Sequence, residues 1–448
     1  MTGLPSVSAQ DPNFSEFFSQ LALRLSYLDK GQKSKAVGRD GIRREKFQLQ
    51  IADEIQIISR KCLAGTYRFT RYKERLIPKG PRRLPRQISI PTIRDRLALR
   101  ALNDYLVSQV PDAKGELPHK YIREINASVK SNGPHHSFVR MDVQEFFPTI
   151  DHEILLSELK NCAIDPLAIV MIMQAIKNPT GDGNQENKVG IPQGLSISNI
   201  LSSIYLRNLD SDLRKHYSYW RYVDDIIITI RSDLATKAFK KIFLDLEKLK
   251  LKPHNLIEGS LKSDIVLISA GTEYLGYHIS SNKLKVRKSS YNKMFENLMK
   301  VFTSYKYSKK YDKFLFRLNL KISGCIFDRK RKGWLFFFPQ TEDMKQLRQL
   351  DEFVLQCCKK YAPGLDVSTV KKFTRTIFEI RYDLAGSSYF PRFDDFDNLQ
   401  KIAFISLMTG RNEADIAVMN IEDIDDLFRR AVQREVDVLE EDVQDSLS

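Results

Sequence analysis

Two adjacent carboxylates inside an apolar hairpin constrain this chain more than any other feature. The stretch from Tyr219 to Ile230 holds an aromatic run, then Tyr222-Val223-Asp224-Asp225, then an isoleucine-rich run. Runs of this kind read as two short strands around a turn, with the acids at its tip. Two like charges that close raise one another's pKa unless a cation neutralises them. A divalent ion such as Mg²⁺ does so through carboxylate oxygens. A solvent-exposed turn, where Asp is common, accounts for the tetrapeptide equally well when it is taken alone.

A third carboxylate follows the same logic. Asp142 lies in Ser137-Phe138-Val139-Arg140-Met141-Asp142-Val143, a strand pattern about eighty residues before Asp224. An adjacent strand would bring the three acids together. Taken alone, Asp142 reads as an ordinary strand-end residue. Residues 152–177 then read as a helical stretch. After it comes Gly190-Ile191-Pro192-Gln193-Gly194, which opens a helix expected from Ser196 to Leu209. Its Pro and Gly set a fixed turn, and the amide of Gln193 both donates and accepts hydrogen bonds.

The order of these pieces carries more than any one of them. An Asp in a strand, then Pro-Gln-Gly and a helix, then Tyr-Val-Asp-Asp in a hairpin resembles the palm of reverse transcriptases. Arg75-Leu76-Ile77-Pro78-Lys79 and Ile90-Pro91-Thr92-Ile93-Arg94-Asp95-Arg96 resemble the fingers motifs of group II intron and retron-type bacterial enzymes. Tyr274-Leu275-Gly276-Tyr277 is similar to the primer-grip hairpin. The resemblance runs over roughly residues 70 to 280.

It implies an α+β fold: a right-hand polymerase with fingers and palm of antiparallel sheet plus helices, a helical thumb and a helical C-terminal extension. It also implies two Mg²⁺ ions held by Asp142, Asp224 and Asp225, with the carbonyl of Val143 as a further ligand. One ion would activate the primer hydroxyl and the other would hold the triphosphate. Phe147 falls at the sugar-selecting aromatic, which predicts dNTPs and a DNA product. With Phe146 and Phe147 on opposite faces of the strand, Phe146 goes to the core and Phe147 becomes the gate. Gln193 is expected on the incoming nucleotide or template base. Lys79, Arg86 and Arg94 are candidates for the triphosphate, and Lys262 for the lysine that protonates pyrophosphate. The spacing around Lys262 departs from the usual short form.

Charge agrees with a polyanionic partner. Lys and Arg total 71 against 56 acids, a net of +15, which favours nucleic acid or an anionic membrane. From Glu413 to Ser448 there are twelve acids and three arginines, a net of −9, so the preceding 412 residues carry +24. The five cysteines show no CxxC spacing, which indicates neither a zinc site nor a disulfide framework. The N-terminus lacks the pattern of a signal peptide, and a cytoplasmic protein without a membrane span is expected.

The expected divisions are an N-terminal helical extension (1–65), fingers and palm (66–284), a thumb (285–362) and a C-terminal extension with an acidic tail (363–448). The thumb is rich in cations and aromatics, as in the run from Arg317 to Phe338, where Arg329-Lys330-Arg331-Lys332 precedes Trp334 and three phenylalanines. It suits either a duplex-tracking surface or a helical core with solvated lysines. The acidic tail reads either as a solvated helix or as a partner for the basic body, another protein or another subunit.

Among reverse transcriptases, the remaining length has no room for a separate RNase H domain. The sequence also lacks a Cys- or His-rich endonuclease and the Val-Thr-Gly of a retron thumb. The layout is similar to that of the bacterial defence-associated, or "unknown group", enzymes, which act against phage, often with a non-coding RNA. The expected function is therefore an RNA-directed DNA polymerase in antiviral defence, with an RNA template, dNTPs and a DNA product. Two alternatives stay open: an RNA-binding maturase or chaperone with little synthesis, and an RNA-dependent RNA polymerase.

Overall fold

Strands that are buried on both sides need cover from both faces, and this requirement organises the first part of the molecule. The computed structural model describes residues 13–30, 36–78, 84–183, 185–257 and 262–444. The chain forms two compact units, Met1–Glu116 with Ser137–Ile265, and Leu117–His136 with Val266–Ser448.

In the first unit, β1 (Lys73–Ile77) and β2 (Arg86–Ile90) make an antiparallel hairpin, with Lys73 opposite Ile90. A second sheet contains β3 (His136–Gln144), β4 (Ser218–Tyr222), β5 (Asp225–Arg231) and β6 (Lys252–Pro253), in the order β4-β5-β3-β6. Met141 and Val143 of β3 and Ile226 and Ile228 of β5 enter one core with residues of the surrounding helices. Those helices include Ile93–Gln109, His152–Asn161, Pro166–Lys177, Ser198–Tyr205 and Ser232–Lys248.

Three local expectations change. The strand does not run on through Phe146 and Phe147. It stops at Gln144, Glu145 takes a left-handed conformation (φ 46°, ψ 44°), and Phe146–Thr149 form a single helical turn. The two rings therefore do not alternate across a strand: their centroids lie 5.5 Å apart, with Phe146 buried and Phe147 half-buried. The helix expected over 196–209 begins at Ser198 and is interrupted at Leu206 before Arg207–His216. The helical stretch 152–177 restarts at Asp165-Pro166, where proline at the first helical position and an Asp cap favour a new N-terminus.

β7 (Asp264–Leu267) carries the chain into the second unit. There β8 (Thr272–Tyr274), β9 (Tyr277–Ile279) and β10 (Leu284–Val286) form an antiparallel sheet in the order β10-β9-β8. Long helices follow at Lys288–Ser308, Tyr311–Ser323 and Met344–Tyr361, with the hairpin of β11 (Cys325–Phe327) and β12 (Lys330–Lys332) between the last two.

The acidic C-terminal helix, Ile421–Gln444, is no solvated tail. Phe428, Val432, Val436 and Leu439 are buried in a core with Phe393 and Phe404. Its acids also engage cations of the expected thumb: Glu435 accepts from Arg317 at 2.9 Å, and Glu440 pairs with Lys332. Those two cations are thus held by this unit's own carboxylates. Helices and antiparallel sheets together give the α+β class. Among the described residues no helix is long and apolar enough to cross a membrane.

Candidate active site

The β4–β5 hairpin closes in two residues. Tyr222 stands opposite Asp225, and Val223 and Asp224 make the turn. Val223 has φ 58°, a left-handed conformation that a β-branched residue adopts only under strain. Beneath it, Arg221 donates to the carbonyl of Val223 at 2.7 Å. The same guanidinium donates to Asp210 at 2.8 Å, and Tyr219 donates to Asp210 at 2.6 Å. Arg221 and Asp210 are both buried, so this network fixes the turn from below.

Arg140 and Asp142 alternate along β3 and so share a face. Arg140 donates to both oxygens of Asp225, each at 3.0 Å. Lys262 donates to Asp142 at 2.8 Å, and the His254 ring lies 3.3 Å from the same oxygen. Among the described residues Asp224 has no ion pair. Burial first, and then the charges of Asp142 and Asp225, push its carboxyl up to about 6. Asp225 is also raised by burial, with Arg140 opposing the shift. The three acids therefore feel one another, and their compensation is uneven.

Val143 stands opposite Pro253, which has no N–H, while His254 N donates to the Asp142 carbonyl at 2.9 Å. Antiparallel alternation then turns the Val143 carbonyl away from β6. Among the described residues no three His, Cys, Asp or Glu side chains stand close enough to hold one ion. Asp142 and Asp224 nevertheless suit a hard divalent cation: they are neighbouring carboxylates, and Asp224 is half-buried without an ion pair.

The Gly190–Gly194 loop is built onto the Phe147 turn and the β1–β2 hairpin. Ile191 N donates to the Phe147 carbonyl and Gly190 N to the Ile150 carbonyl, both at 2.8 Å. A Cβ on Gly190 would meet the Pro148 carbonyl oxygen at 2.7 Å. His152, buried on the next helix, hydrogen-bonds the Gly190 carbonyl through Nε2 at 2.7 Å. At the far end, Ser89 N donates to the Gln193 carbonyl at 2.7 Å. A Cβ on Gly194 would lie 2.7 Å from the Ser89 carbonyl oxygen. The fold thus ties Gln193 to β2 and its loop to Phe147.

Residues 77–279 match the family profile described as reverse transcriptase (RNA-dependent DNA polymerase). The chain carries a reverse transcriptase domain. Such a domain is that of an RNA-directed DNA polymerase, a nucleotidyltransferase that works with divalent metal ions. A curated relative, Protein YkfC of Escherichia coli strain K12, is 23% identical over 322 residues, which cover 61% of this chain and 81% of that protein. Telomerase from Candida albicans, solved with a TWJ fragment of telomeric RNA, is 13% identical with a TM-score of 0.43, over 85% of this chain and 72% of that one. A C-terminally truncated apo telomerase from Candida tropicalis is 17% identical with a TM-score of 0.36. That match covers 49% of this chain and 55% of the other, so the chain spans about half its length.

Other expected residues of the reverse transcriptase domain fall in varied settings. Arg86 opens β2 and is exposed. Arg94 is taken up by Glu54, to which it donates at 2.6 Å, so its guanidinium serves a structural pair. Lys79 lies outside the described residues. Tyr274 and Tyr277 face each other across a two-residue turn at Leu275 and Gly276, both with positive φ. Both tyrosine side chains are buried, and Gly276 with them, so only the half-buried Leu275 of the expected primer grip reaches the surface. Arg140, His152, Asp210 and Arg221 escaped the sequence reading. For Arg140 a signal existed, since it stands two positions before Asp142 and a strand puts both on one face.

Proposed function

We propose that the chain copies RNA into DNA at a site built on Asp142 and Asp224, with Asp225 held by Arg140 as the third acid. The half-buried carboxylate of Asp224, which among the described residues has no ion pair, carries this reading. Two Mg²⁺ ions bound there would supply Lewis acidity to the primer hydroxyl and the triphosphate. The residues do the positioning. Arg140 orients Asp225, Arg221 holds the hairpin turn, and the Gly190–Gly194 loop sets Gln193 near the nucleotide. Lys262, which donates to Asp142, is the proposed proton donor to the leaving pyrophosphate. Phe147, half-buried on its turn, is the proposed sugar gate, Arg86 a proposed phosphate contact, and Tyr274–Tyr277 the primer grip.

The division into extension, fingers and palm, thumb and C-terminal extension belongs to the same proposal. So does a role in bacterial antiviral defence with a non-coding RNA template, which rests on the overall layout of the sequence. The test uses purified protein with Mg²⁺, dNTPs and a primed RNA. Wild type should extend the primer and Asp224→Ala should not; extension by the variant would sink the site assignment. Phe147→Ala should admit rNTPs, and a wild type that already prefers them would remove the gate.

A further inference from the structure

The helix Phe373–Tyr382 is fixed on its inner side and at both ends. Phe373, Ile377 and Ile380 are buried. At its N-terminus Asp351 accepts from Phe373 N at 2.6 Å and from the Thr374 hydroxyl at 2.7 Å. At its C-terminus Arg381 donates to the Pro339 carbonyl at 3.1 Å. The outer side is different. Phe378 is 58% exposed and Tyr382 73%, and their ring centroids lie 4.9 Å apart. Positions 375, 378 and 382 share one helical face, and Lys372 borders it.

Two exposed cations accompany the rings, Lys372 and Arg375, whereas Lys371 donates to Ser323 and Arg381 to the Pro339 carbonyl. Arg375 pairs with Glu379 at 3.1 Å, and its guanidinium lies over the Tyr389 ring at 4.9 Å. The Tyr389 hydroxyl accepts from Lys372 N at 2.7 Å, so that ring is fixed too. Exposed aromatic rings bordered by cations suit a strand whose bases are uncovered and whose backbone is anionic. A duplex hides its base faces, and the positive border disfavours a purely apolar partner.

We propose that this face binds single-stranded nucleic acid, with bases stacked on Phe378 and Tyr382 and phosphates held by Lys372 and Arg375. The surface lies outside the residues assigned to catalysis.

The test uses the full chain and labelled RNA and DNA of about twelve nucleotides, a length within the usual single-strand site sizes, with excess unlabelled primed duplex to fill the catalytic groove. Phe378→Ala/Tyr382→Ala should weaken binding of the single strand about tenfold, with an unchanged melting temperature. Tyr382→Trp keeps a stacking ring, so it should bind as wild type does and lose fluorescence on binding. The RNA and DNA arms show which strand is preferred. Binding by the double variant within about twofold of wild type would overturn the proposal. Primer extension is measured separately on the same preparations: its absence alongside intact strand binding would count against the polymerase reading alone.

Discussion

Asp224 ionises against both burial and the neighbouring charges of Asp142 and Asp225. Its folded-state value of about 6 lies above the ordinary 3.8, so the folded protein binds this proton more tightly than the unfolded chain does. Stability from this group is full below about pH 4 and is lost as pH rises through 6, by roughly 3 kcal/mol. In metal-free buffer, Asp224→Asn should therefore raise the melting temperature at about pH 7.5 and leave it unchanged near about pH 4. Equal shifts at both pH values would remove the electrostatic explanation. His152 acts at the same scale. Its loss leaves the Gly190 carbonyl without this partner, at a cost of about 1–3 kcal/mol. His152→Ala should also raise the KM for dNTP more than it lowers kcat, as measured by single-nucleotide incorporation.

The β4–β5 hairpin depends on a pair that its sequence does not advertise. Removing Arg221 leaves Asp210 buried and uncompensated, so Arg221→Met should destabilise the protein by roughly 3–5 kcal/mol. Denaturant unfolding would show the loss, and an unchanged midpoint would rule out the network as the support of the turn. The acids, the Pro-Gln-Gly turn and the hairpin were legible because each is a short local pattern and because their order narrows the choice. Which partner each support takes was not, because the two lie far apart in sequence: Arg140 and Asp225 are 85 positions apart, and His152 and Gly190 are 38 apart. The break after Gln144 was missed because Phe146 and Phe147 fit a strand by propensity, while the left-handed Glu145 leaves no mark in composition.

Across the whole molecule, net charge pointed to a polyanionic partner but not to where the charges are spent. The acidic helix Ile421–Gln444 closes a core on Phe393 and Phe404. Deleting residues 421–448 should expose that surface, and the truncated protein should aggregate or bind a hydrophobic dye in a way that full-length protein does not. A soluble, dye-silent truncation would return the helix to the status of a tail. The route of the chain has a further consequence. Residues 117–136 fold with the segment that begins at Val266, and Lys130 and Asn126 both meet Glu342. A gene cut between the two units at residue 265 would encode one product with a stranded amphipathic helix, its Ile122, Ile125 and Val129 uncovered, and another lacking that helix. During synthesis the same helix leaves the ribosome roughly two hundred residues before Glu342 exists, so the contacts of Asn126 and Lys130 must wait for that stretch of the chain.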